Sequence, residues 1–271
     1  MIIEIFGPPG VGKTTFAYAL TKRLRESGHV VELTLSYRPA EHRSSPDPWP
    51  TASAEHQVAA VPRRLSRPLL EMLAIARRPF ALTHNIGAAA GLMKILPPRN
   101  MAAAIRLSQY FLRLSHSWCR ASVVGHIVLF DQAFVQLICS LALHSRLADE
   151  SLIAHALESA PRPDLLIRLD APPEILAARL RDRSRQQSAI ERLFELDLNT
   201  NLKSIRIIDQ LHRLLLDRGQ SIICASSLDK QSLSASLEAI DEALTGRFSA
   251  AWVATARPQP RAINPIHGIA T

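Results

Sequence analysis

Nine residues near the start of the chain constrain its fold more than any others: Gly7-Pro8-Pro9-Gly10-Val11-Gly12-Lys13-Thr14-Thr15, directly behind the apolar run from Ile2 to Phe6. The spacing G-x-x-x-x-G-K-T is that of a loop that cradles a polyphosphate between a buried strand and a helix. Glycines let successive backbone N–H groups turn inward as a nest, at the positive end of the helix that begins at Lys13. Lys13 neutralises the β and γ phosphates. Thr14 offers a hydroxyl to Mg²⁺, which keeps most of its waters and takes few protein ligands. A chance glycine-rich turn would leave the ordered sequence of strand, loop, Lys-Thr and helix unexplained. The helix reads as Lys13 to Ser27, with Gly28 suited to the left-handed position that ends helices.

Apolar β-rich runs recur at Val30 to Leu35, His126 to Phe130, Leu165 to Leu169 and Ser221 to Cys224. Near-continuous apolar strands separated by helical stretches predict a parallel sheet covered on both faces, an α/β fold. Helical spacing also recurs from Ile190 to Leu215 and from Leu233 to Leu244. Between strands two and three, residues 38–125 exceed a simple crossover and build an insert. It reads as a Pro-containing loop followed by helices at Leu65 to Arg77, Phe80 to Leu96 and Met101 to Ala121. His84, Asn85 and Lys94 interrupt the most apolar of these, which falls short of the ~20 residues of a membrane span, so no transmembrane segment is expected. Residues 1–246 form the expected domain, and 247–271, with Pro258, Pro260 and Pro265, a tail expected to be disordered.

Charge singles out the insert. The chain carries 32 Lys and Arg against 24 Asp and Glu, a net +8, and residues 38–125 hold twelve of the bases and four of the acids, so the whole excess lies there. Most of these bases are arginine, whose planar fork suits oxyanions, although a GC-rich genome produces the same bias. The insert therefore points to a small anionic partner rather than to nucleic acid; the plain alternative is a set of solvated helix faces. Cys119, Cys139 and Cys224 show no paired spacing, and the N-terminal run lacks the basic flank of a signal peptide, so a reducing cytoplasm is the expected compartment.

Two further signals bear on chemistry. The run His126-Ile127-Val128-Leu129-Phe130-Asp131 is a strand ending in a carboxylate, which can hold Mg²⁺ through water or cap the helix that follows. Gln132 follows it, where motor ATPases carry a glutamate base; no N-K-x-D or D-x-x-G appears, which weighs against a GTPase switch. After strand four, Leu169-Asp170-Ala171-Pro172-Pro173-Glu174 leads into a helix with Arg179, Arg181, Arg183 and Arg185. Arg179 and Arg183, four apart, share a face and read as a lid over transferring phosphate, or else as a solvated helix face.

On the loop at Gly7 to Thr15, the Asp131-Gln132 strand end, the Leu169 to Glu174 run with Arg179 and Arg183, and Ala225-Ser226-Ser227 after the last strand, the chain resembles the P-loop nucleoside and nucleotide kinases, the thymidylate-kinase-like group above all. The resemblance implies a five-stranded sheet of order 2-3-1-4-5, ATP on the loop, Arg179 and Arg183 as lid, and Ala225-Ser226-Ser227 beneath the adenine. It implies an acceptor side built by the insert, with Arg38, Glu41 and Gln132 as candidate contacts, and is compatible with a homodimer. Gln132 stands where thymidylate kinases usually place an arginine, and Ser36-Tyr37-Arg38-Pro39-Ala40-Glu41 only loosely matches their arginine-glutamate-proline stretch. The expected activity is an ATP- and Mg²⁺-dependent transfer of the γ-phosphate to a small anionic acceptor such as a nucleoside monophosphate. Two alternatives stay open: a hydroxyl acceptor, with Glu41 or Asp131 as base, and a regulatory NTP-binding protein that docks an anionic partner.

Overall fold

A parallel sheet forms the centre of the computed structural model, which describes residues 1–36, 91–145, 147–186 and 198–256. Its strands are β1 (Ile2–Phe6), β2 (Val31–Thr34), β3 (Ile127–Phe130), β4 (Leu165–Asp170) and β5 (Ile222–Ser226). They are ordered β2-β3-β1-β4-β5, the order expected from the sequence, and every pairing is parallel. β1 lies between β3 and β4, so the loop that follows it opens where the chain order reverses, the place at which α/β sheets bind ligands.

The helices are α1 (Lys13–Glu26), α2 (Met101–Ala121), α3 (Phe134–His144), α4 (Glu150–Ser159), α5 (Pro173–Gln186), α6 (Leu198–Asp217) and α7 (Lys230–Ala256). Alternate residues of β1 feed two cores: Ile3 and Ile5 pack with Phe16 and Leu20 of α1 and with Ile240 and Leu244 of α7. Ile2 and Phe6 pack on the other face with residues of α2, α3 and α6. This two-sided burial is why β1 reads as an uninterrupted apolar run except for Glu4. α4 was not anticipated; Asp149 caps it by accepting the Leu152 N–H at 2.8 Å.

α2 closes the insert and buttresses the sheet. Asn100 caps it, accepting the Ala103 N–H at 2.8 Å, and Leu107, Phe111, Leu114 and Trp118 recur on its buried face. Trp118 packs against Phe130 and Phe134 with ring centroids 5.4 and 5.1 Å apart, and Phe111 against Phe134 at 5.8 Å. Phe111 and Trp118 of α2 thereby grip Phe130 and Phe134, which stand on either side of Asp131 in the chain.

Two expectations need correction. β5 is a half-exposed strand with Cys224 open to solvent rather than a fully buried one, because it is an edge strand paired only with β4. The last helix continues to Ala256, ten residues past the domain end expected at 246. Ala250, Ala251, Ala254 and Ala256 are strong helix formers, and no proline intervenes before Pro258. Residues 257–271 lie outside the described residues, as do the expected helices at 65–77 and most of 80–96. No helix among the described residues is long and apolar enough to cross a membrane.

Candidate nucleotide site

The loop from Gly7 to Thr15 leaves β1 and enters α1 as the motif requires. Gly7 passes so close to β4 that a Cβ on it would run into the carbonyl oxygen of Leu169. Gly7→Ala is therefore expected to destabilise the fold by about 1–3 kcal/mol through a forced backbone shift, read as a lower Tm. Gly12, the N-cap of α1, has φ 96° and ψ 27°, a left-handed conformation costly to other residues. Having no side chain, it offers no cap to the first turn of α1. Lys13 is buried, 8% exposed, and its Nζ donates to the carbonyls of Gly7 and Pro8 at 2.8 and 3.1 Å. Its ammonium thus sits within the loop it is expected to serve.

Asp131 is buried at the carboxyl end of β3. Its Oδ2 accepts the Thr14 hydroxyl at 2.9 Å, and its Oδ1 accepts the Ser36 backbone N–H at 2.7 Å, just beyond β2. Burial raises its carboxyl above the usual range, opposed by the hydrogen bonds from Ser36 and Thr14 and by the charge of Lys13. The helix-cap role considered for Asp131 does not hold: the N-cap of α3 is Ala133, and neither Asp131 oxygen reaches that helix in the bonds it makes. The Thr14 hydroxyl and the Asp131 carboxylate, meeting beside the loop, are hard oxygen ligands of the kind Mg²⁺ takes.

The cap of α3 comes instead from Glu4 in the middle of β1. Its Oε1 accepts the backbone N–H groups of Ala133, Val135 and Gln136 at 3.2, 2.8 and 3.3 Å. Burial pushes the Glu4 carboxyl up to about 8, against the lowering effect of those hydrogen bonds. Because the unfolded chain ionises this group near 4.5, its contribution to stability is complete below pH 4.5 and is lost as pH rises through about 8. Melting curves from pH 4 to 9 should show Glu4→Gln lacking this downward slope; parallel Tm profiles for variant and parent would contradict the shift.

Arg179 on α5 ties three parts of the site together. Its Nη1 donates to the Val11 carbonyl at 3.2 Å, and its Nη2 to those of Ser227 and Leu228 at 3.3 and 3.5 Å. The Ser227 hydroxyl also reaches the Val11 carbonyl, at 3.4 Å. Ala225 and Ser226 belong to β5 rather than to the turn after it, because pairing with β4 continues through Leu169 to Ala225 and Asp170 to Ser226. Arg183 lies one turn beyond Arg179 on α5, and its side chain falls outside the described residues. Gln132 is half-buried beside Asp131, whereas Arg38 and Glu41 lie outside the described residues.

Three of the insert's described bases are engaged away from the loop. Arg99 donates to the Ser145 carbonyl at 3.0 Å, Arg106 lies 3.0 Å from His144, and Arg120 pairs with Glu32 of β2. Sequence reasoning missed Glu4, Gln136 and Ser36. A carboxylate inside the run Ile2-Ile3-Glu4-Ile5-Phe6 was the available signal for the first.

No protein-family model matches the chain, and no curated protein matches its sequence. Among solved structures it is similar to deoxyadenosine kinase from M. mycoides with the products dCMP and a flexible dCDP bound: TM-score 0.48, 13% identity, over 91% of this chain and 100% of that one. It is similar to the same enzyme with bound dATP at a TM-score of 0.47 and 14% identity, over 90% of this chain and 100% of that one.

Proposed function

We propose that the protein is a Mg²⁺-ATP-dependent phosphotransferase of the nucleotide-kinase type, acting on a small anionic acceptor such as a nucleoside monophosphate. The observation that carries this is the join of Thr14 to Asp131 at 2.9 Å beside a glycine loop that encloses the Lys13 ammonium. In this reading the loop amides and Lys13 hold the β and γ phosphates, and Thr14 and Asp131 are the residues that would hold Mg²⁺. The ion, when bound with ATP, neutralises charge on the transferring phosphate. Arg179, held between Val11 and Ser227, lines the side of the loop toward β5, where the resemblance sets the adenine. Arg179→Ala is accordingly expected to weaken ATP binding several-fold more than it lowers turnover, measured by titration and by initial rates; the reverse pattern would return Arg179 to a lid role. Arg183 is proposed as the lid residue.

An anionic acceptor is favoured over a hydroxyl. The carboxylates of Asp131 and Asp170, which end the two strands flanking β1, are both engaged, the first by Thr14 and Ser36 and the second by Arg168 at 2.8 Å. A phosphate acceptor needs no general base, whereas a hydroxyl calls for one in reach. The insert, with Arg38, Glu41 and Gln132, is proposed to line the acceptor side. The test is ADP release from ATP-Mg²⁺ with panels of nucleoside monophosphates, sugar phosphates and uncharged nucleosides. Saturable turnover with anionic acceptors supports the reading; turnover confined to uncharged nucleosides overturns the acceptor class, and ATP binding without acceptor-dependent turnover overturns the enzyme.

A further inference from the structure

β1 is buried along its whole length, and Glu4 is its one residue that is not apolar. Its side chain shares the face of Ile2 and Phe6 and reaches α3, while its Oε2 is enclosed without a partner. A carboxyl in such a position carries a desolvation cost that an aliphatic side chain would avoid. What it secures is the first turn of α3, whose N-cap, Ala133, has no side chain able to cap.

That turn stands between two parts of the nucleotide site. Asp131 lies two residues before Ala133, and the side chain of Gln136, itself 6% exposed, accepts the Gly7 N–H through Oε1 at 3.4 Å. Glu4 on β1 and Gly7 just beyond its end are three residues apart, so the contacts close a ring: β1 to Glu4, Glu4 to the α3 amides, Gln136 back to Gly7. A tilt of α3 would move Gln136 off Gly7 and shift the strand end that sets Asp131 against Thr14. We propose that Glu4 is a positioning residue of the nucleotide site, which fixes the N-terminus of α3 and through it the placement of Gly7 and Asp131. This rests on the reading of the loop as a nucleotide site. Glu4 itself touches no phosphate; it acts as an outer layer that orients the groups that do.

The experiment compares Glu4→Gln, Glu4→Leu, Gln136→Leu and the double variant Glu4→Leu/Gln136→Leu in the full chain. Three quantities are read: affinity for a fluorescent ATP analogue with Mg²⁺, amide exchange of the 7–15 loop without nucleotide, and Tm. Glu4→Gln keeps an oxygen for the three amides and is expected to bind the analogue within about threefold of the parent, whereas Glu4→Leu and Gln136→Leu should each lose about tenfold. The double variant should be weaker than the poorer single by no more than about twofold, because both changes cut one path. Loop exchange should quicken in both leucine variants relative to a β4 peptide, and stay at the parent rate in Glu4→Gln. A residue that merely supports the fold would lower Tm without separating loop from β4 exchange. If Glu4→Leu fails to fold, Gln136→Leu decides: parental binding and parental loop exchange overturn the proposal. So does a folded Glu4→Leu that binds like the parent. Failure of the parent itself to bind the analogue overturns the nucleotide reading, a result distinct from any difference among the variants.

Discussion

Lys13→Ala should cost at least about 100-fold in acceptor-dependent turnover, the loss typical of removing a charge-stabilising donor from a pre-organised site. The physical basis is placement: the ammonium is buried, already held by the Gly7 and Pro8 carbonyls, and so positioned before any phosphate arrives. Transfer of the γ-phosphate spreads negative charge over its equatorial oxygens, and a fixed cation stabilises that charge without reorganising. Lys13→Arg should fail nearly as badly. A planar guanidinium does not fit a buried point-charge position shaped by two carbonyls. Folding should survive, since alanine is a strong helix former at the first position of α1, and ATP affinity should fall along with rate. Turnover of Lys13→Ala within a few-fold of the parent, with Tm unchanged, would remove the loop from the mechanism.

How far the sequence reveals this site depends on the range of the signals. Strands β1 to β5 lie within two residues of the apolar runs that predict them, because a buried parallel strand is a local pattern. Gly7 to Thr15 is legible for the same reason: the motif's chemical demands are met within nine residues. Sheet order followed from resemblance, and the structure bears it out. Contacts made across the chain were not legible. Glu4 stands out as a misplaced carboxylate in an apolar strand, yet its partners begin at Ala133, and nothing local to either segment joins them. Ser36 reaches Asp131 through its backbone N–H, a contact that no side-chain pattern encodes. Arg179 was recognisable as a cation at the right distance after β4, but its direction was not: it faces the Val11 and Ser227 carbonyls, a matter of how α5 packs beside the loop. Nor does the sequence show that three of the insert's arginines have partners within the fold: Arg99 at Ser145, Arg106 at His144 and Arg120 at Glu32.

Asp131→Asn should separate the catalytic reading of this carboxylate from a structural one. Both of its hydrogen bonds can survive the change: the amide oxygen can accept the Ser36 N–H, and the Thr14 hydroxyl can turn to accept from the amide nitrogen. Burial already disfavours the ionised carboxyl, so a neutral amide of the same shape should leave Tm unchanged or raise it. What the substitution removes is the negative charge beside Thr14, the property a hard divalent cation requires of its oxygen ligands. Turnover at saturating ATP should therefore fall by about 100-fold or more, comparable to the loss of one strong electrostatic contact in a transition state. Part of it should return as Mg²⁺ is raised, because the remaining ligands bind the ion more weakly rather than not at all. The measurement is a Mg²⁺ titration of initial rates beside a melting curve for parent and variant. A variant that loses rate and Tm together, with no shift in Mg²⁺ dependence, would make Asp131 a tether between β3, Thr14 and Ser36 and leave the cation to other groups.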